Sequence, residues 1–278
     1  MFAMYPISLI LMVGLALLYV FQGFYPGFMS FFSNAFPPFI AGAAVVSSYI
    51  LLRKYWHDTK ERSPVVWIFF TLGLTLRQRD RKQFSMVWLC FTLGLALWFL
   101  GETGWAIYTL LLGIEIPYPS VADVFWLSGY VPFFIALNLY VKIFKSGLSR
   151  RMVAFSMAAT FVLAVLASAT LMAPILEAEK DLVTLIIDFT YPFFDIFLFS
   201  VAFLGLLIFL GGRLERSWLL INLGILSNAS ADVLFSYTVA QGTYYSGHPL
   251  EILFHLGYLL FILAFNVHIK ELDRFLSV

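Results

Sequence analysis

Residues 98–130 read WFLGETGWAIYTLLLGIEIPYPSVADVFWLSGY, and this stretch decides the fold. One carboxylate, Glu102, interrupts an otherwise apolar run that ends near Gly113. The turn IPYPS follows, and a second apolar run starts with Asp123 in its first turn. Apolar runs of about 20 residues are membrane-spanning helices. An acid inside such a run is costly, and it usually faces the bundle interior or a wet cavity. The pattern then returns: Tyr108-Thr109 and Gly113 recur as Tyr237-Thr238 and Gly242. DVFWLSGY (123–130) recurs as EILFHLGY (251–258), matching Asp123 to Glu251 and Tyr130 to Tyr258.

Composition agrees with a membrane chain. Of 278 residues, 62% are hydrophobic and 12% charged, with a mean hydropathy of +0.91, far from a soluble globular protein. No nucleic-acid partner is expected. The single Cys90 excludes an internal disulfide and a cysteine-rich metal site. The N-terminal run lacks a basic leader and a small-residue cleavage site, so it reads as a retained first span.

The chain predicts an all-α, polytopic membrane helix bundle of about eight transmembrane helices, built from parallel helical-hairpin repeats. Expected spans are roughly 5–25, 37–54, 84–112, 121–142, 152–174, 183–211, 217–240 and 249–270. The run SPVVWIFFTLGLTL, between two basic clusters, is too short to span and reads as one interfacial helix. Three parts follow: two N-terminal helices (1–54), a cytoplasmic basic segment (55–83), and a six-helix repeat module (84–278) carrying the acids.

Charge sets the expected orientation. With the N-terminus and residues 53–83 in the cytoplasm, sixteen of the 17 Lys and Arg lie inside and only Lys180 lies outside. The positive-inside rule then gives a cell-membrane protein with both termini cytoplasmic. The acids fall toward the opposite side. Asp123, Asp188 and Glu251 belong near the outer rim, and Glu102, Asp195 and Asp232 two to three turns deeper. Because the fourth and eighth spans run the same way, the repeat is parallel. The sixth span adds a looser version (Asp188, Tyr191-Pro192, Asp195), suggesting three hairpins about one axis, with the first two helices added.

An outward-facing acidic cavity suits a cation or a cationic ligand. Glu102, Asp195 and Asp232 would form its floor, and Asp123, Asp188, Glu251 and His255 its rim. Tyr130 and Tyr258 would donate hydrogen bonds to the acids. Each has a plainer reading. Asp123, after Ser120, and Glu251, after Pro249, fit first-turn acids at a positive helix end. The mid-helix acids could be structural groups bonded to Tyr or Ser. Clustered carboxylates cannot all carry charge without a cation or strong hydrogen bonds. Tyr118, Tyr244 and Tyr245 read as interface anchors. No His pair has zinc-ligand spacing, so the metal and any cofactor stay open.

The motifs PYPSVADVFWLSGY, FTYPFFDIFLF and ADVLFSYTVAQGTYYSGHPLEILFHLGY resemble a multi-span module of prokaryotic membrane signalling proteins. There it precedes a diguanylate cyclase, phosphodiesterase or histidine kinase domain. The likeness covers about residues 84–270 and implies a sensory input. This chain ends at Val278, so a relay role implies a separate cytoplasmic signalling partner. The expected function is thus a membrane sensory or ligand-binding module. Alternatives are a cation- or proton-coupled transporter and an intramembrane metal-dependent hydrolase.

Overall fold

A computed structural model describes residues 4–60, 76–144, 147–177, 181–210 and 216–276. The chain forms α1 (Met4–Val20), α2 (Pro26–Lys60), α3 (Leu76–Ala106), α4 (Val121–Ile143), α5 (Arg150–Glu177), α6 (Leu182–Leu210), α7 (Arg216–Ala240) and α8 (Ile252–Leu276). No strand occurs among the described residues. Helices α2 to α8 are long and apolar enough to cross a membrane, while α1 carries a shorter apolar stretch, Pro6–Val20. This is a multi-pass integral membrane protein. Helices are imposed here because hydrocarbon offers no water to backbone N–H and C=O groups. The expected interfacial helix lies, but for Leu76, outside the described residues.

Helix α2 starts eleven residues before the expected residue 37 and runs through Pro37 and Pro38. The expected span begins at the Pro37-Pro38 pair, yet a membrane helix tolerates proline where neighbouring groups satisfy the backbone. Just before them, the Asn34 amide and Ser33 hydroxyl both bond the Ser30 carbonyl, at 2.7 and 3.2 Å.

Six helices close a ring in the order α2, α3, α4, α6, α7, α8 and back to α2. Helix α1 packs on α8, and α5 packs on α6 and α7. Hairpins α3–α4 and α7–α8 are the expected pair. Hairpin α5–α6 does not act as a third, because α5 sits outside the ring. Instead α6 takes the place that α2 takes on the opposite side. Aligning Pro38 with Pro192 sets the buried Ala41, Ala44, Ser48 and Leu51 on the buried Asp195, Leu198, Ala202 and Gly205. In the ring α2 packs between α8 and α3. The ring has a twofold plan, α2–α3–α4 against α6–α7–α8.

Packing across the ring follows the same plan. Trp88 and Trp218 stack on each other at 4.7 Å, and Phe133 and Phe261 at 6.4 Å. Each of these pairs joins equivalent positions. Within each hairpin a phenyl ring fills the gap over a glycine, Phe133 over Gly94 and Phe261 over Gly224. The first hairpin adds Trp98 over Gly129 and Trp126 over Gly101, where an added Cβ would meet the indole at 2.5 Å. The second places Asn228 over Gly257. Below the acids, Trp88, Trp218, Tyr140 and Phe265 form a layer with no more than a trace of exposure.

One insertion separates the two halves. A π turn, Ile107–Leu111, ends α3, with Leu112 N–H bonding Ile107 C=O at 3.0 Å. Its counterpart in α7 is plain α-helix. A π turn accommodates one extra residue. Both helices then stop at a glycine in the left-handed region, Gly113 (φ 63°) and Gly242 (φ 64°).

Candidate functional site

Three groups of acids lie toward one end of the ring, and the basic residues of the described helices cluster at the other. The central group joins the two halves crosswise. Tyr258 of α8 donates to Glu102 of α3 at 2.9 Å. Tyr130 of α4 lies 3.1 Å from Asp232 of α7 and 2.5 Å from Asp195 of α6. Glu102 and Asp232 are equivalent positions, as are Tyr130 and Tyr258. Each half's tyrosine therefore reaches the other half's acid. Asp195 has no equivalent acid, since Ala41 stands in its place in α2.

Burial differs within this group. Asp195 is 1% exposed, and its second carboxyl oxygen has no hydrogen-bond donor. Glu102 and Asp232 are half-buried. Toward the acidic end, Trp105 packs edge-on to Phe235 at 6.4 Å, and Phe235 edge-on to Tyr244 at 4.7 Å. Trp105 also packs on Trp126 at 6.1 Å, and its indole N–H bonds Asn34 Oδ1 at 2.6 Å. Carboxyls that keep some accessible surface thus sit beside a collar of aromatic rings. Aromatic faces attract cations.

The second group lies on the α4–α6 side. Asp123 closes a capping box with Ser120: its carboxyl accepts the Ser120 N–H at 2.6 Å and hydroxyl at 2.9 Å. The helix-cap reading of Asp123 therefore holds. Its other oxygen accepts from Tyr191 of α6 at 2.8 Å, so the cap is also a tie between helices. Asp188, one face with Asp195, accepts from Tyr118 at 2.6 Å. Burial, with Asp188 adding its hydrogen bond and charge, pushes the Tyr118 hydroxyl above its ordinary range.

The third group lies on the α1–α8 side. Glu251 accepts from Tyr244 and from the Gly247 N–H, each at 2.9 Å, and from Tyr19 at 3.2 Å. The Tyr19 hydroxyl also touches His255 Nδ1 at 3.2 Å. Glu251 and His255 thus share a face as expected, bridged by α1. The rest of the His255 ring is set against Phe32 and Phe36 at 5.9 and 5.3 Å. Burial and the Glu251 charge push the Tyr244 hydroxyl above its ordinary range.

The floor residues Glu102, Asp195 and Asp232 come together, and Tyr130 and Tyr258 are their donors. The rim splits into two sides. Of the expected interface anchors, Tyr118 is 48% exposed with its hydroxyl on Asp188, and Tyr244 donates to Glu251. Tyr245, 54% exposed, remains at the surface. Tyr19, Tyr191 and Trp126 also join the site; Tyr191 and Trp126 lie in the repeated motifs, but only packing between helices sets which partners they meet. Among the described residues, no three His, Cys, Asp or Glu side chains are grouped to hold a metal ion. A separate apolar cleft of about 530 Å³ opens between α5 and α6, against Ala167, Leu185, Phe189 and Ile196.

Searches of protein-family models, of curated proteins and of solved structures found no match to this chain.

Proposed function

We propose that this protein is a membrane sensory or ligand-binding module that takes a cation or small cationic ligand at Glu102 and Asp232. The observation that carries the reading is the crosswise pairing of tyrosine and acid between the halves. A cation drawn to these carboxyls changes the bonds that hold one half to the other. Binding is thereby coupled to the relative setting of two helix sets, as a sensor requires. The half-buried carboxyls and the collar of Trp105, Phe235 and Tyr244 favour a monovalent or organic cation. The absence of a three-ligand group among the described residues gives the metal-hydrolase reading no ligand set. Transport would require a path through the buried layer of Trp88, Trp218, Tyr140 and Phe265.

In this reading the acidic end faces outward, both termini are cytoplasmic, and the chain crosses the cell membrane eight times. The output passes to a cytoplasmic signalling partner. A screen of sodium, potassium, ammonium and tetramethylammonium by melting temperature tests the reading. A bound cation raises the melting temperature by mass action. The rise should shrink in Glu102→Gln and Asp232→Asn and persist in Asp123→Asn. If no cation shifts the wild type, the reading fails.

A further inference from the structure

Asp195 breaks the symmetry of an otherwise twofold site. Tyr258 has one carboxyl to serve, Glu102, whereas Tyr130 stands between two, Asp195 and Asp232. A tyrosine hydroxyl carries one proton and can donate it once. The shorter contact, to Asp195, takes it. Asp232 then faces an oxygen with nothing to give, and the second Asp195 oxygen has no N–H or O–H near it. Asp195 and Asp232 both contact the one Tyr130 hydroxyl, at 2.5 and 3.1 Å, so the two carboxyls stand side by side. One more proton completes the arrangement, bonding one carboxyl to the other.

We propose that Asp195 and Asp232 hold a single proton between them, and that Asp195 makes this site responsive to pH. The inference rests on the reading of the central acids as the binding layer, and it names the smallest cation as one occupant. The titratable groups around the pair are Tyr130 on α4, Glu102 on α3, Tyr258 on α8, and Tyr191 on α6 itself. Among the described residues of α5, the ionisable Arg150 and Arg151 lie at the opposite end of the bundle. All of these close neighbours are acids or phenols, so none can neutralise a second carboxylate. When the proton leaves, it passes to water at the accessible surface of Asp232, and two adjacent negative charges remain. The folded state then loses stability as pH rises.

The fold already shows what removing Asp195 would do. Ala41 fills the equivalent position in α2, so Asp195→Ala copies a residue that this packing accepts. Asp195→Asn goes further and supplies a permanent N–H where the shared proton was. The test uses the purified full chain in detergent. Melting temperatures are followed between about pH 6 and pH 9, alongside infrared spectra in H2O and D2O. In the wild type, melting temperature should fall by roughly 5 °C or more as pH rises. A carboxylic-acid carbonyl band that shifts in D2O should be lost over the same range. In Asp195→Asn the band should be missing and melting should hold nearly level with pH. Asp195→Ala should also lack the band. If it fails to fold, Asp195→Asn alone decides.

Persistence of the band and of the pH trend in Asp195→Asn overturns the inference. So does a wild type without either. The sodium and ammonium arms at fixed pH separate the two claims. A cation shift with no proton band leaves the cation site standing and removes the shared proton. The converse leaves a proton-responsive pair and removes the cation site.

Discussion

Tyr130→Phe isolates the hydroxyl that ties α4 to α6 and α7. Phenylalanine keeps the ring, so the stack on Phe194 (5.4 Å) and the edge contact with Trp98 (5.7 Å) survive. What is lost is the one donor shared by Asp195 and Asp232. Hydrogen bonds to charged groups contribute about 1.5–3 kcal/mol in soluble proteins. Between membrane helices the measured average is nearer 0.6, with a maximum of about 1.7. Asp195 sits at 1% exposure with one oxygen already lacking a donor, which places its loss near the upper end, about 1.5–2 kcal/mol. Tyr258→Phe is the matched control. It removes one bond to Glu102, which keeps more accessible surface than Asp195, so about 0.5–1 kcal/mol is expected. At roughly 2–4 °C per kcal/mol, Tyr130→Phe should melt about 3–8 °C low and Tyr258→Phe about 1–4 °C low. Circular dichroism melts in one detergent at one scan rate make the comparison. Equal shifts, or a larger one for Tyr258→Phe, would refute the asymmetry assigned to Asp195.

Gly129→Ala and Gly101→Ala should each destabilise by about 1–3 kcal/mol, since the new Cβ would meet Trp98 or Trp126 at 2.5 Å. Gly14→Ala, with nothing within 4 Å, serves as the neutral comparison in the same melts. Asp181 begins α6, accepting from the Val183 and Thr184 N–H groups and from the Thr184 hydroxyl. The Thr184 bonds hold its carboxyl below the ordinary range, so its contribution is present above about pH 3.9 and fades as pH falls through its depressed value. Asp181→Ala should lower the melting temperature at neutral pH and flatten that acid limb, and Asp181→Asn should keep the cap. For topology, a reporter active only in the cytoplasm should work when fused after Val278 and fail within residues 113–120. Activity in that loop would reverse the orientation.

The helices were legible because hydrocarbon leaves the backbone no alternative, and the spans α3 to α8 start and stop near the expected residues. The start of the second span was misplaced, since Pro37-Pro38 marks a boundary in water and lies in the helix interior here. Reading Tyr108 against Tyr237 hid the equivalence of Glu102 and Asp232. The π turn adds a residue between them and the matched glycines, so the register changes inside the repeat. The donors Tyr130 and Tyr258 were legible from their recurrence in matched motifs. Tyr19, Tyr191 and Tyr244 were not, because a hydroxyl's partner across helices is set by packing. The place of α2 in the ring was likewise hidden, its trace in the sequence being Pro38, which aligns with Pro192.

Calorimetric titration with whichever cation most raises the melting temperature tests the central claim most directly. The wild type should bind one cation per chain, Asp123→Asn should bind it with similar affinity, and Glu102→Gln and Asp232→Asn should lose it. Binding that survives both of the latter substitutions, or disappears only with Asp123→Asn, would place the site away from the crosswise acids and contradict the account.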